Sequence, residues 1–88
     1  MNTEITVLIP TYNSGAYLIE AVDSVFKQTV TDWRLIILDD ASTDNSLSLI
    51  APFLRDPRVA LLQSAKNIGQ TKILNKGLKQ TMSPYVIL

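Results

Sequence analysis

The feature that most constrains the fold of this chain is a regular alternation of short apolar runs with segments of helical periodicity. Four runs of β-branched and aliphatic residues are typical of strands buried on both faces. They lie at residues 4–10, 33–38, 58–63 and 85–88. Between them, apolar residues recur at helical spacing over residues 16–27, about 45–54 and 70–81. The predicted order of elements is β-α-β-α-β-α-β.

This order predicts one α/β domain with a mostly parallel, doubly wound, Rossmann-like sheet. Strands that are linked by helical crossovers pair in parallel, and the crossovers are right-handed. The 88 residues suffice for a single domain with a modest core. Ser14 or Asn13 is the expected N-cap of the first helix. Pro52 lies within the second helix, so the last turn of that helix is expected to be kinked or separate.

The composition excludes several classes of function. Eight basic and eight acidic residues cancel, whereas a domain that binds nucleic acid normally carries a basic excess, so no nucleic-acid partner is predicted. The chain contains no cysteine and no histidine. It cannot by itself build a disulfide, a Ser-His-Asp triad or a histidine-ligated zinc site.

The sequences at the two ends of the chain lead to predictions about localisation and assembly. Residues 1–4 form no basic region ahead of a long apolar stretch, so no secretory signal is predicted, and no apolar run reaches the roughly 20 residues of a membrane span. We expect a cytoplasmic protein, with membrane association through segments outside this sequence as the alternative. The chain stops within the fourth strand, which predicts a truncated domain that self-associates through an exposed sheet edge.

Two polar loops are the first candidates for a binding site. Ligands of an open parallel sheet bind at the carboxyl ends of its strands, near the point where the strand order reverses. The loop of Pro10, Thr11, Tyr12 and Asn13 leaves the first strand, and residues 39–44 leave the second. If these two strands are neighbours, the loops form one concave site.

Asp39 and Asp40 are the sharpest feature of these loops. Because side chains alternate along a strand, the two carboxylates are expected to face opposite sides of the sheet and to play different roles. A carboxylate here can accept a hydrogen bond from a ribose hydroxyl or from N3–H of uracil, and it would reject cytosine, whose N3 carries no proton. The alternative is that one aspartate caps the next helix and the other is solvated.

The other polar candidates in these loops are an aromatic ring and three small side chains. Tyr12 offers a flat face on which a base can stack, or it covers the end of the sheet. Thr11 and Asn13 can donate hydrogen bonds to ribose or phosphate, or they only shape the turn. Ser42, in the second loop, is counted with them as a nucleotide-binding candidate.

The start of the third helix supplies the last candidates. Asn67 and Gly69 precede this helix, whose first amides can face an anion, although such residues more often make a turn. Lys72, Lys76 and Lys79 share one helical face, which is expected to be solvated. Of these lysines, Lys72 is nearest the helix start and is the one considered for a phosphate contact.

Four stretches together make the sequence resemble glycosyltransferase family 2, whose members have the GT-A fold and use nucleotide-diphosphate sugars. They are IPTYN, SVFKQT, DDASTD and NIGQTKILNKG. Each stretch is weak alone, but they occur in order and with the family's spacing over nearly all of the chain. The resemblance covers the N-terminal, nucleotide-binding portion of the family.

The resemblance implies roles for the matched positions. Residues 10–12 lie where the family lines the base and ribose, with Tyr12 against the base. Asp40 resembles the aspartate that pairs with uracil, and Asp39 is then structural or a neighbour of the ribose. The loop of residues 67–69 approaches the nucleotide.

The resemblance also implies a reaction, which is the inverting transfer of a sugar from a nucleotide-diphosphate donor, with a UDP-sugar favoured. In the family, the strand that starts near Tyr85 runs into an Asp-x-Asp motif that binds Mg²⁺ or Mn²⁺, and this chain ends at Leu88, before any such motif. No catalytic or metal-binding residue is therefore assigned. The chain is expected to bind the nucleoside end of the donor and to be inactive alone, and the acceptor, whether sugar, lipid or protein, is open.

Three other functions are compatible with an α/β domain of this kind. A dinucleotide-binding oxidoreductase needs a Gly-x-Gly-x-x-Gly turn after its first strand, which PTYNSG lacks. A phosphoacceptor signalling domain needs a further aspartate at the end of its third strand, and RVALLQS has none. A non-catalytic nucleotide-binding or assembly module that retains the fold is the alternative that stays open.

Overall fold

The backbone follows the predicted alternation of strands and helices. The structure is a computed structural model that describes residues 5–28, 32–81 and 85–87. Its strands are β1 (Ile5–Thr11), β2 (Trp33–Asp39), β3 (Val59–Gln63) and β4 (Tyr85–Ile87). Its helices are α1 (Ala16–Lys27), α2 (Ser46–Ile50) and α3 (Gln70–Leu78), with a 3₁₀ helix at Ala51–Arg55 directly after α2.

The four strands form one sheet in the order β3-β2-β1-β4, and each neighbouring pair is parallel. The chain adds β2 and β3 on one side of β1 and then returns to place β4 on the other side. The strand order therefore reverses beside β1, which is where doubly wound sheets bind their ligands. The predicted α/β fold is confirmed.

Helices cover both faces of this sheet. Leu8 and Leu38 lie on one face and pack with Ile73 of α3. The other face carries a larger cluster, in which α1 and α2 meet the strands. Its buried members are Val7, Ile9, Leu18, Val22, Val25, Trp33, Leu35, Ile37, Ile50 and Val59. Burial on both faces is the reason why the strands are continuous apolar runs in the sequence.

One local prediction needs correction, and another is confirmed. The N-cap of α1 is Gly15, at φ 55°, and not Ser14 or Asn13. Glycine reaches this left-handed conformation at little cost, and its N–H donates to Ser46 Oγ at 2.7 Å. The predicted break in the second helix is confirmed, because Pro52 has no N–H for an α-helical hydrogen bond and the chain continues as a separate 3₁₀ helix.

Several predictions lie outside what the fold tests. Glu4 and Leu88, the outer ends of the first and last predicted strands, lie outside the described residues. In the described ranges, none of the helices combines the length and the apolar character that crossing a bilayer requires. The cytoplasmic location, the truncated domain boundary and self-association at a sheet edge stay predictions.

A close approach between α3 and β2 generates the first testable prediction. Gly77 is buried, and a Cβ on it would lie 2.8 Å from Cδ1 and from Cδ2 of Leu38. Leu38 is fully buried, so its side chain cannot move aside without displacing its neighbours. Overpacking costs about 1–3 kcal/mol and the helix propensity of alanine returns about 1 kcal/mol. Gly77→Ala is therefore expected to lower the free energy of unfolding in urea by about 1 kcal/mol.

A double-mutant cycle tests this cause. Leu38→Ala removes the methyl groups that the new Cβ would meet, so Gly77→Ala should cost less in that background than in the wild-type chain. An equal loss in the two backgrounds would show that the close contact is not what requires glycine.

Candidate functional site

The register of β1 and β2 brings the two candidate loops together. Thr11 and Asp39, the last residues of these strands, are paired. The next residue, Asp40, continues the ladder by donating its backbone N–H to the carbonyl oxygen of Thr11 at 2.9 Å. The chain therefore leaves both strands at the same edge of the sheet, and the condition for one concave site is met.

Asn13 fastens the first loop to the second. Its backbone N–H donates to Ser42 Oγ at 2.9 Å. Its Oδ1 accepts the backbone N–H groups of Thr43 at 2.7 Å and of Asp44 at 3.2 Å. Asn13 has a φ of 50°, a left-handed conformation that asparagine tolerates better than most residues. In this structure the polar atoms of Asn13 and Ser42 shape the loops, and their contact with a nucleotide stays a prediction.

Asp40 ties the end of β2 to the start of α3. Its side chain is only 4% exposed, and its two oxygens each accept one backbone N–H at 2.8 Å, Oδ1 from Ile68 and Oδ2 from Gly69. Gly69 has φ 89° and ψ 155°, a combination available essentially only to glycine. A carboxylate has about four acceptor positions, so Asp40 keeps acceptor capacity for a ligand.

Asp39 makes its hydrogen bond in a different loop. It is 1% exposed, and its Oδ2 accepts the backbone N–H of Ser42 at 3.3 Å. Its Oδ1 is buried without a hydrogen-bond donor among the residues that the structure describes. The two aspartates thus have different partners, as alternation along β2 predicts, and the alternative in which one of them is solvated is wrong. A nucleotide contact of Asp39 stays a prediction.

A pocket of about 280 Å³ lies between these loops and the start of α3. This volume is near the lower end of the range of about 300–1,000 Å³ that is typical of small-molecule sites. The pocket combines apolar surface, an aromatic ring and several polar groups. It is lined by Pro10, Thr11, Tyr12, Ser14, Asp40, Gln70 and Ile73. Tyr12 is 50% exposed, so its ring is accessible to a ligand.

The pocket is lined by some of the predicted site residues and supported by others. Among the predicted site residues, those that line it are Pro10, Thr11, Tyr12 and Asp40. Those that support it through hydrogen bonds are Asn13, Asp39, Ser42 and Gly69. Asn67 and Lys72 are exposed and are not part of its lining. A nucleotide or phosphate contact at these two residues stays a prediction.

Sequence reasoning missed three lining residues, namely Ser14, Gln70 and Ile73. Ser14 lies in the first candidate loop, where its predicted role is that of a helix cap, and in the structure its Oγ accepts a hydrogen bond from the Thr11 hydroxyl at 2.7 Å. Gln70 and Ile73 lie in the first turn of α3. The available signal for them was the position of this helix start at the carboxyl end of β3.

The acidic side chains near the site are the groups that bear on its ionisation and on metal binding. Hydrogen bonds from the hydroxyl and the backbone N–H of Ser46 hold the pKa of the Asp44 carboxyl below its usual range, so Asp44 is ionised at neutral pH. Among the described residues, no three histidine, cysteine, aspartate or glutamate side chains come together in a group that could hold a metal ion. The described residues therefore do not fit the Mg²⁺ or Mn²⁺ that the family resemblance implies.

The fold and the sequence motifs define a known family. The profile described as Glycosyl transferase family 2 matches residues 6–88. The chain therefore belongs to this family, and the resemblance inferred from its motifs is confirmed.

Individual relatives agree with this assignment. The chain is 35% identical over its whole length to the glycosyltransferase GlyG of Streptococcus pneumoniae serotype 4, and it covers 30% of that protein. It is 37% identical over 94% of its length to the poly(ribitol-phosphate) beta-N-acetylglucosaminyltransferase TarP of Staphylococcus aureus, and it covers 26% of that protein. The chain thus spans less than a third of the length of these curated relatives.

Solved structures share the fold. The chain matches Staphylococcus aureus TarS 1-349 in complex with UDP-GlcNAc with a TM-score of 0.88 at 28% identity, over 97% of this chain and 26% of that one. It matches the mannosyltransferase PcManGT of Pyrobaculum calidifontis, in complex with GDP-Man and Mn²⁺, with a TM-score of 0.80 at 25% identity. The second match covers 89% of this chain and 24% of that one.

A strained residue beside the pocket generates the second prediction. Ala41, which follows Asp40, has a φ of 63°. This left-handed conformation costs a non-glycine residue about 1–2 kcal/mol, whereas glycine loses about 0.4–1 kcal/mol through the greater freedom of the unfolded chain. Ala41→Gly is therefore expected to raise the free energy of unfolding by about 0.5–1 kcal/mol, as measured by urea denaturation.

The matched control is Ala60→Gly. Ala60 is an exposed residue of β3 without a positive φ, so the same substitution there should lower stability by about 0.5–1 kcal/mol. If both substitutions lowered stability alike, the left-handed conformation of Ala41 would not be strained.

Proposed function

We propose that this chain forms the nucleoside-binding part of a glycosyltransferase that transfers a sugar, with inversion, from a nucleotide-diphosphate donor to an acceptor. The observation that carries the proposal is the carboxylate of Asp40, which two backbone amides hold at the wall of a pocket beside the accessible ring of Tyr12. The pocket lies where the strand order reverses, the usual ligand position in a doubly wound sheet.

The lining groups suit a uracil ring. Tyr12 supplies a face for stacking, which is worth about 1–3 kcal/mol per base in nucleic-acid systems. Ile73 and Pro10 supply apolar surface. Asp40 keeps acceptor positions for N3–H, the donor that uracil has and cytosine lacks. A UDP-sugar is therefore the proposed donor.

The relatives support the donor class more strongly than the base. TarS was solved with UDP-GlcNAc and PcManGT with GDP-Man and Mn²⁺, so both bind nucleotide-diphosphate sugars that differ in the base. We assign Mg²⁺ or Mn²⁺ to the whole enzyme, with ligands other than the described residues of this chain. The chain alone is expected to lack transferase activity, because it supplies the nucleoside end of the site only.

The third prediction concerns binding of UDP to the wild-type chain. In an amide NMR titration, UDP should shift the signals of residues 11–13 and 39–42, while ADP and NAD should not, because the ring nitrogen N1 on the pairing edge of adenine is an acceptor and has no proton to donate to Asp40. CDP is the closest control, since it differs from UDP at the base edge that faces Asp40. In the CDP complex, the Asp40 carboxylate would face N3 of cytosine, which is also an acceptor, so CDP should bind about tenfold more weakly than UDP.

Two results would count against the proposal in different ways. Equal affinity for UDP and CDP would remove the role of Asp40 in base recognition. A well-folded spectrum that does not change with excess UDP would leave a fold-retaining assembly module as the function of the chain.

A further inference from the structure

Gln70 lines the pocket but has no role in the proposed function so far. It is the first residue of α3, it lines the pocket, and its side chain is exposed. Thr11 and Asp40, which line the same pocket, already make hydrogen bonds within the protein. Among the described residues, the side-chain amide of Gln70 makes none. It is therefore available to a ligand without the loss of an internal contact.

The backbone on both sides of Gln70 is fixed. Gly69, the preceding residue, donates its N–H to Asp40 Oδ2 at 2.8 Å, and its carbonyl oxygen accepts the N–H of Ile73 at 3.1 Å in the first turn of α3. Gln70 thus follows directly on the residue that Asp40 holds. Asp40 and Gln70 line the same pocket, so a planar ligand that fills the pocket can contact both residues.

We propose that Gln70 is a specificity-determining residue that reads the base together with Asp40. Asp40 accepts N3–H of uracil, and the side-chain N–H of Gln70 donates to O4, the neighbouring carbonyl oxygen in whose place cytosine carries an amino group. This pair of acceptor and donor matches the alternation of acceptor and donor along the edge of uracil. The inference rests on the proposed function, because it names how the same pocket distinguishes its nucleotide.

A single substitution can change the side chain at position 70 from a hydrogen-bond donor to an acceptor. Gln70→Glu keeps the length and shape of the side chain but replaces the donating NH₂ with an accepting oxygen. A carbonyl of uracil would then face an acceptor, whereas the exocyclic amino group of cytosine could donate to Glu. Gln70→Ala removes the contact and adds no charge.

The experiment measures the dissociation constants of UDP and CDP by calorimetry for the wild-type chain and for Gln70→Glu, Gln70→Ala and Gln80→Glu. Gln80 lies beyond the C-terminal end of α3, is exposed and is not part of the pocket lining, so Gln80→Glu adds the same charge at a distance. Amide spectra establish that each variant is folded.

We expect Gln70→Glu to lower the preference for UDP over CDP at least tenfold. Gln70→Ala should weaken UDP binding about two- to tenfold, as expected for loss of one hydrogen bond between neutral groups. Gln80→Glu should leave the UDP-to-CDP ratio unchanged.

The outcomes separate this inference from the function on which it rests. If the wild-type chain prefers UDP and Gln70→Glu keeps the same ratio, Gln70 does not read the base and the proposed function stands. If Gln70→Glu and Gln80→Glu weaken both nucleotides equally, the effect is general charge repulsion and the inference is overturned. If the wild-type chain binds no nucleotide, the proposed function fails and this inference fails with it.

Discussion

The parallel pairing of β1 with β2 sets the position of every group in the site. Seven residue pairs, from Ile5–Trp33 to Thr11–Asp39, fix the register, and the Asp40 amide extends it by one more bond to Thr11. A shift by one residue would turn every side chain of β2 to the other face of the sheet. Asp40 would then face α1 and α2, the start of α3 would lose its two hydrogen bonds to the carboxylate, and the pocket would lose its wall.

Beyond the ends of the strands, polar side chains hold the loops in place through hydrogen bonds. Backbone groups that leave a sheet need new partners, and here Asn13, Asp39 and Asp40 provide them for the two loops and for the turn before α3. The same contacts hold the pocket in shape before a ligand arrives. Backbone strain gathers at the same place, since Asn13 and Ala41 both adopt left-handed conformations. Strained residues of this kind are often found at functional sites.

The sequence predicted what depends on local patterns and failed where distant contacts decide. The strands, their alternation with helices along the chain and the separation of Asp39 from Asp40 follow from apolar runs and from side-chain alternation, and these predictions are confirmed. The order of the strands in the sheet was not predicted. Tyr17 falls within residues 16–27, whose apolar spacing predicts a buried helical stripe, but it is 78% exposed in the structure. The role of Gly15 depends on Ser46, 31 positions away, and the pocket position of Gln70 depends on how α3 meets β1 and β2. Neither the contact of Gly15 with Ser46 nor the pocket position of Gln70 can be predicted from the spacing of residues along the chain.

The proposed function requires that a uracil ring binds in the pocket between the first loop and the start of α3. Intermolecular nuclear Overhauser effects in the complex of the chain with UDP test this position most directly. We expect contacts from H5 and H6 of uracil to the ring of Tyr12 and to the methyl groups of Ile73. Contacts confined to the opposite face of the sheet, for example to Leu47 or Phe53, would contradict it.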